Sequence, residues 1–170
     1  MANFSILNNQ RELTVSGPAG AGTDRLIDNE RLHFDDTSLA FDLDGNAGII
    51  AKVLGVVLGK DDWYNKEYLS IGLNIIDNIA IDNATLMQAA FDVILGVNPS
   101  NTEEVNLIYV SLVGQTPSQQ DLSALTADLL DNGAFTQGSL GELVMDHKLN
   151  LTKMDFVGLT QNGLEYTALG

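Results

Sequence analysis

The amino-acid sequence predicts an α+β fold: short N-terminal antiparallel β-hairpins followed by a mainly α-helical bundle of two duplicated three-helix units. Three observations carry this expectation. Over residues 1–46 apolar residues fall in short runs or alternate with polar ones, the pattern of half-buried strands. From Ala47 onward they recur at i, i+3, i+4 and i+7, which lines one face of a helix. The helical stretch also matches itself when displaced along the chain.

In the first region Phe4, Ile6 and Leu7 form a short apolar stretch, and Leu13 and Val15 alternate with Thr14 and Ser16. Gly17-Pro18-Ala19-Gly20-Ala21-Gly22 then makes a turn with little side chain to pack. Leu26, Ile27, Leu32, Phe34, Leu39 and Phe41 follow in runs split by Asp28-Asn29 and Asp35-Asp36. So few short strands need a partner layer to bury their apolar face.

The helices read in order. Ile50, Val53, Leu54, Val57 and Leu58 define the first, ending near Gly59. Tyr68, Ile71, Ile75 and Ile76 define the second, and Leu86, Ala89, Ala90, Val93 and Ile94 the third. Asn98-Pro99-Ser100 breaks the pattern, and Asn101 with Glu104 offers a capping box for a fourth. Thr116-Pro117-Ser118-Gln119 supplies a cap, a first-turn proline and a capping-box glutamine for a fifth. Ser139 with Glu142 opens a sixth, through Leu140, Leu143 and Val144.

A shift of 55 lays Ile50, Val53, Leu54, Val57, Leu58 and Gly59 on Val105, Ile108, Tyr109, Leu112, Val113 and Gly114. A shift of 54 lays Ile75-Ile76-Asp77-Asn78 on Leu129-Leu130-Asp131-Asn132, and Leu86, Asp92 and Leu95 on Leu140, Asp146 and Leu149. A single-residue deletion after the first helix reconciles the two. The expected units are residues 47–97 and 102–150, packed face to face because neither buries its own stripe alone. Residues 151–170 form a separate C-terminal segment.

Composition narrows the function. The chain has 170 residues, 8 Lys+Arg against 23 Asp+Glu, and a net charge of −15. Between Lys66 and Lys148 eleven carboxylates meet no basic residue. Such a surface repels nucleic-acid phosphates and anionic lipid and favours cations. With no cysteine and only His33 and His147, thiol chemistry is excluded and a histidine zinc site has little material. Apolar residues at 45% suffice for a sizeable core. No apolar run reaches the ~18–20 residues of a membrane span, and the N-terminus lacks the pattern of a cleaved signal peptide.

The most site-like segment is Asp42-Leu43-Asp44-Gly45-Asn46-Ala47-Gly48. Alternating oxygen-bearing residues on a tight turn can converge on calcium, with Asp42, Asp44 and Asn46 as ligands and Asp24, Asp28 or Asp35-Asp36 completing the shell. An EF-hand does not fit, since Ala47 and Val53 stand where glycine and glutamate are required. The alternative is an acidic turn leading into a helix, with Asp44 or Asn46 as its N-cap. Trp63, Tyr64 and Tyr68 are a candidate stacking surface for sugars, or else contacts of the core and helix entry. Asp146-His147 has no Gly-x-Ser-x-Gly elbow beside it, so His147 and Lys148 read as cations at a helix C-terminus. His33 reads as facing solvent from a strand.

The run Gly22-Thr23-Asp24-Arg25-Leu26-Ile27-Asp28-Asn29-Glu30-Arg31-Leu32-His33-Phe34-Asp35-Asp36, continuing through Leu39 to Gly48, resembles the segment that follows calcium-binding RTX repeats in large secreted bacterial proteins. There it leads into a helical domain of unknown function with phycobilisome-linker-like repeats. The stretches Leu107–Pro117 and Leu129–Phe135 are similar to that domain's helix, turn and following helix, and Asp155–Tyr166 is similar to the extreme C-terminus of the same proteins. The resemblance implies export by a type I (ABC-transporter) system reading an uncleaved C-terminal signal, here residues 151–170. Its implied partners are that transporter and an upstream repeat region, and its implied location is extracellular or at the cell surface. The Gly-Gly-x-Gly-x-Asp array itself is absent, so the family's calcium β-roll does not carry over.

The expected function is therefore a non-enzymatic structural and export module of a secreted or cell-surface protein. The competing expectation is a calcium-responsive binding or adhesion module. A hydrolase has no convergent nucleophile, base and orienting group to support it.

Overall fold

Helix α1 (Asn46–Asp62) is buried on nearly every side: Ala47, Ile50, Ala51, Val53, Leu54, Val56 and Val57 all lie in the main core. A helix apolar all round cannot keep a solvent face and must be enclosed. The computed structural model describes residues 5–9, 12–17 and 22–168. Around α1 pack α2 (Lys66–Asn78), α3 (Asn83–Leu95), α4 (Asn101–Val113), α6 (Gln137–Met145) and α7 (Lys148–Lys153). Helix α5 (Gln119–Thr126) lies against α4, and α8 (Phe156–Asn162) follows α7.

Two antiparallel three-stranded sheets complete an α+β fold. The first has the order β1 (Ser5–Asn9), β2 (Glu12–Ser16), β3 (Thr23–Ile27), with Ile6 opposite Val15 and Leu13 opposite Leu26. Residues 18–21 of the Gly17–Gly22 turn segment lie outside the described residues, as does Phe4. The second sheet joins β4 (Arg31–His33) and β5 (Ser38–Ala40) to β6 (Leu164–Tyr166) from the far end of the chain. Alternation on β5 sends Leu39 into a small core with Leu13, Val15 and Leu32, and Ala40 into the main core with Leu164 and Tyr166. That sheet is thus the layer between two cores, the partner layer the short strands needed. Residues 151–170, set apart in the sequence as a terminal segment, contribute α8 and the edge strand β6 to this body; 169–170 lie outside the described residues.

The two helical units repeat in detail. Gly59 and Gly114, displaced by 55, both have positive φ (71° and 78°), and Asp82 and Thr136, displaced by 54, both cap the following helix with their side chains. Asn46 Nδ2 donates to Asp77 Oδ1 at 2.8 Å, and its counterpart Asn101 donates to Asp131 Oδ1 at 2.8 Å. Where α3 crosses α6, a Cβ on Gly138 would lie 2.2 Å from the carbonyl oxygen of Ala84, its own counterpart. Equivalent residues in contact mark the approximate two-fold relation between the copies.

A single-residue deletion does not account for the registers. The caps of the second helices, Asn65 and Ser118, are displaced by 53, so the second connection is two residues shorter. One residue is then regained in a π-helical turn over Ala127–Asp131, where Asn132 N–H donates to Ala127 C=O at 3.1 Å. An i→i−5 bond accommodates one extra residue without ending the helix.

Helix starts move by one to three residues from the sequence expectation. Ser100 caps α4 in a reciprocal box with Glu103, in place of Asn101 and Glu104. Both pairs have the right spacing, but starting at Ser100 turns Glu104 into the core, where it is fully buried. Ser118, with Asp121, caps α5, which puts Pro117 before the cap. Thr136 with Ser139 caps α6. His147 directly follows the C-cap of α6, its N–H donating to Val144 C=O at 3.0 Å, and it also caps α7, its Nδ1 accepting from Leu149 N–H; Lys148 is the first residue of α7.

Helix α7 reaches α1 because Gly55 has no side chain. A Cβ there would stand 2.3 Å from Met154 Sδ and 2.4 Å from Asn150 Oδ1. Asn150 is buried and donates to the carbonyls of Lys52 (3.0 Å) and Met145 (2.9 Å), so it cannot yield freely. The counterpart of Gly55 is Val110, which is 37% exposed. Gly55→Ala is expected to lower stability by about 2 kcal/mol through overpacking, with early hydrogen exchange in α7. Val110→Ala should move the same denaturation midpoint far less.

Candidate functional site

The 42–48 turn is organised by an internal cation. Asp42 is buried; its Oδ1 accepts from Arg31 Nε and its Oδ2 from Arg31 Nη2, both at 2.7 Å, while Oδ2 also accepts from Ala47 N–H at 3.0 Å. One carboxylate thereby balances Arg31 and satisfies a donor at the start of α1. The residue at the N-cap itself is Gly45, so neither Asp44 nor Asn46 caps the helix. Asn46 turns its amide nitrogen to Asp77, a group that also approaches Arg31 Nη1 at 3.4 Å. Asp44 is exposed, and Asp24 lies on β3 of the other sheet. The four residues considered as calcium ligands do not converge, and among the described residues no group of three or more His, Cys, Asp or Glu is placed to hold a metal. Burial works against the charge on Arg31, but Asp42 and then Asp77 outweigh it and hold its pKa above the ordinary value.

The three aromatic residues do not form one surface. Trp63 is buried in the main core and meets Tyr64 edge-on, ring centroids 5.3 Å apart. The Tyr64 hydroxyl donates to Glu165 Oε2 at 3.4 Å, and partial burial together with that carboxylate pushes its pKa up to about 12. Tyr68 faces elsewhere, onto an open groove between α2 and α3 floored by α1.

That groove, about 210 Å³, is lined almost wholly by hydrocarbon. Ile50 and Leu54 form its floor, Tyr68, Ile71 and Gly72 one wall, and Val93 part of the other. Its rim leaves bulky apolar groups in water: Ile71 is 42% and Val93 67% exposed. The second helical unit is an internal control. At the counterpart positions Gly72 is replaced by Leu125, Leu54 by Tyr109 and Ile50 by the smaller Val105. A Cβ on Gly72 would meet Ile50 Cγ2 at 2.8 Å, so the larger floor residue requires the glycine. The rim residues Tyr68, Ile71 and Val93 correspond to Asp121, Ala124 and His147. One copy thus combines a missing side chain with an apolar rim, and the other combines larger side chains with a more polar rim. The signal lay in the sequence as a Gly/Leu difference between repeats, hidden because the repeats align there by 53 and not by 54.

Two further features are polar. A groove of about 210 Å³ between the second sheet and α2 is lined by Arg31, His33, Asn74, Asp77 and Tyr166. His33 is solvent-facing, as its strand position implied, and its Nδ1 is 2.9 Å from Ser38 Oγ. The second feature is Glu104, whose two carboxylate oxygens have no hydrogen-bond partner. Burial first, and then the Asp92 charge, push its pKa up to about 8. Glu104 lines neither groove.

No known protein family, curated protein or solved structure matches this chain. The resemblance to RTX-associated segments therefore rests on the residues quoted for it.

Two outcomes test this electrostatic reading. Arg31→Ala leaves Asp42 buried without its cation and should cost about 3 kcal/mol; if calcium ligation organises the turn, excess calcium over chelator raises the melting midpoint, whereas the ion pair leaves it unmoved. Glu104 binds its proton more tightly when folded than at its ordinary 4.5, so the folded state holds the extra proton and stability falls as pH rises from about 4.5 to 8. Glu104→Gln should flatten that fall and add about 2 kcal/mol above pH 8, read from denaturation across pH.

Proposed function

We propose that this chain is a non-catalytic binding module carried by a secreted or cell-surface protein, and that the groove of its first helical unit is the binding site. The observation that carries the reading is the difference between the copies. Both units build the same helices, cap them at matching positions and share the Asn–Asp hydrogen bond. Where packing alone is at stake, the pair Val105 and Leu125 supplies more side chain than Ile50 and Gly72. The first unit instead keeps Ile50 with Gly72 and leaves Ile71 and Val93 in water, an arrangement that costs apolar exposure in the unbound chain. A concave apolar surface with few polar groups is the usual form of a small-molecule or peptide site.

The extracellular setting is supported by the resemblance of the 22–48 and 155–166 segments. Residues 151–170, fused behind a passenger protein and expressed with a type I transporter, should direct its export; intracellular retention of the fusion would refute the signal assignment. Removing those residues from the chain itself is a poorer test, since Leu164 and Tyr166 belong to the core.

The binding reading is tested by copying the second unit into the first. The double variant Ile50→Val with Gly72→Leu should fold, because the same pair of sizes packs in the second copy. The unaltered chain should raise the fluorescence of the neutral apolar dye Nile red, and the double variant should not. Equal dye binding by both proteins, with the variant's melt intact, would overturn the assignment.

A further inference from the structure

We infer that the occupant of this groove is a short amphipathic helix from another protein, with bulky apolar residues on one face and lysine or arginine beside them. The inference rests on the binding reading above and adds the chemistry of the partner. Apart from the Tyr68 hydroxyl the walls are hydrocarbon, so recognition inside must come mainly from apolar side chains. Tyr68 and Ile75 mark the two ends of the α2 wall. Seven helical steps of ~1.5 Å separate them by roughly 10 Å, the length of about two helical turns. A partner helix seated there presents anchors at i, i+3 or i+4, and i+7.

Charge selects among apolar partners. The ends of the elements that build the groove carry Asp61 and Asp62 on α1, Glu67 in the first turn of α2, and Asp82 capping α3, all exposed. Beside these four carboxylates stand two lysines, Lys60, which is exposed, and Lys66, which is paired with Glu165 at 2.8 Å. The chain as a whole carries −15. A second copy of this chain, an anionic lipid or a fatty acid brings negative charge to an acidic chain whose groove helices end in these carboxylates; a basic segment brings the complement and is steered to it.

The test uses the full chain and labelled synthetic helices of about 14 residues. One has leucine at i, i+3, i+4 and i+7 with lysine elsewhere, and the second replaces every lysine by glutamate. Fluorescence anisotropy should show the lysine peptide binding at least about tenfold more tightly than the glutamate peptide at low salt, with the difference shrinking as salt is added. Ile50→Val with Gly72→Leu should abolish lysine-peptide binding while the melt stays intact. Equal affinity for both peptides would overturn the charge argument and leave the groove reading standing. Lysine-peptide binding that survives in the double variant would overturn groove occupancy by a helix, since attraction to the acidic surface at large would then explain it. A chain that binds Nile red in the groove but neither peptide, or that dimerises in a manner the double variant breaks, would overturn the partner and not the groove. Loss of dye binding as well would overturn both.

Discussion

Helix α1 is buried on nearly every side before its last turn, and that obliges the rest of the chain to enclose it. Its sequence is apolar or small along nearly its full length, so its burial requires neighbours on all sides. The second helical unit supplies two of them, α4 and α6, the first unit supplies α2 and α3, and α7 closes the side opened by Gly55. The start of the helix is held by Asp42, whose carboxylate joins the backbone at Ala47 to the buried side of Arg31. Sheet, turn and bundle are thereby tied at one point. The strand β6 then adds residues 164–166 to the same sheet that carries Arg31, so this layer is incomplete until the last part of the chain arrives.

A duplicated unit gives each half a standard against which the other can be judged. Shared features, such as the Asn–Asp bonds and the glycines of positive φ, report what the three-helix unit needs in order to fold. Differences report what each copy does besides. The exchange of Ile50 and Gly72 for Val105 and Leu125 takes one carbon from the floor and adds a whole leucine side chain to the wall. The first copy has a recess bounded by apolar residues, and at the place of Gly72 the second copy carries the side chain of Leu125. Val110 in place of Gly55 is a second divergence, and it explains why α7 packs on the first copy's central helix. Duplication set the scaffold; small-residue substitutions decided which surfaces stayed open.

The carboxylates show why charge in a sequence is hard to assign. Asp42, Asp44 and Asn46 alternate as cation ligands do, and spacing cannot tell whether the cation they meet is a metal ion or a guanidinium from a strand eleven residues earlier in the chain. Glu104 has the spacing of a capping residue, yet a helix start displaced by one residue places it in the core with its oxygens unpartnered. In both cases a local pattern was satisfied equally by two residues or two partners, and packing chose between them.

Periodicity alone determined the α+β class, strands followed by six helices up to residue 145, and the repeat of the helical unit, because these are patterns along the chain. Tertiary structure decided what depends on distant residues: the pairing of Arg31 with Asp42, the return of residues 164–166 to the first region's sheet, the π-turn that restores register, and the groove at Gly72. A groove is a property of three helices at once. Its defining residue is an absent side chain, which adds nothing to a periodic pattern and becomes visible only when the surrounding atoms fail to fill the space.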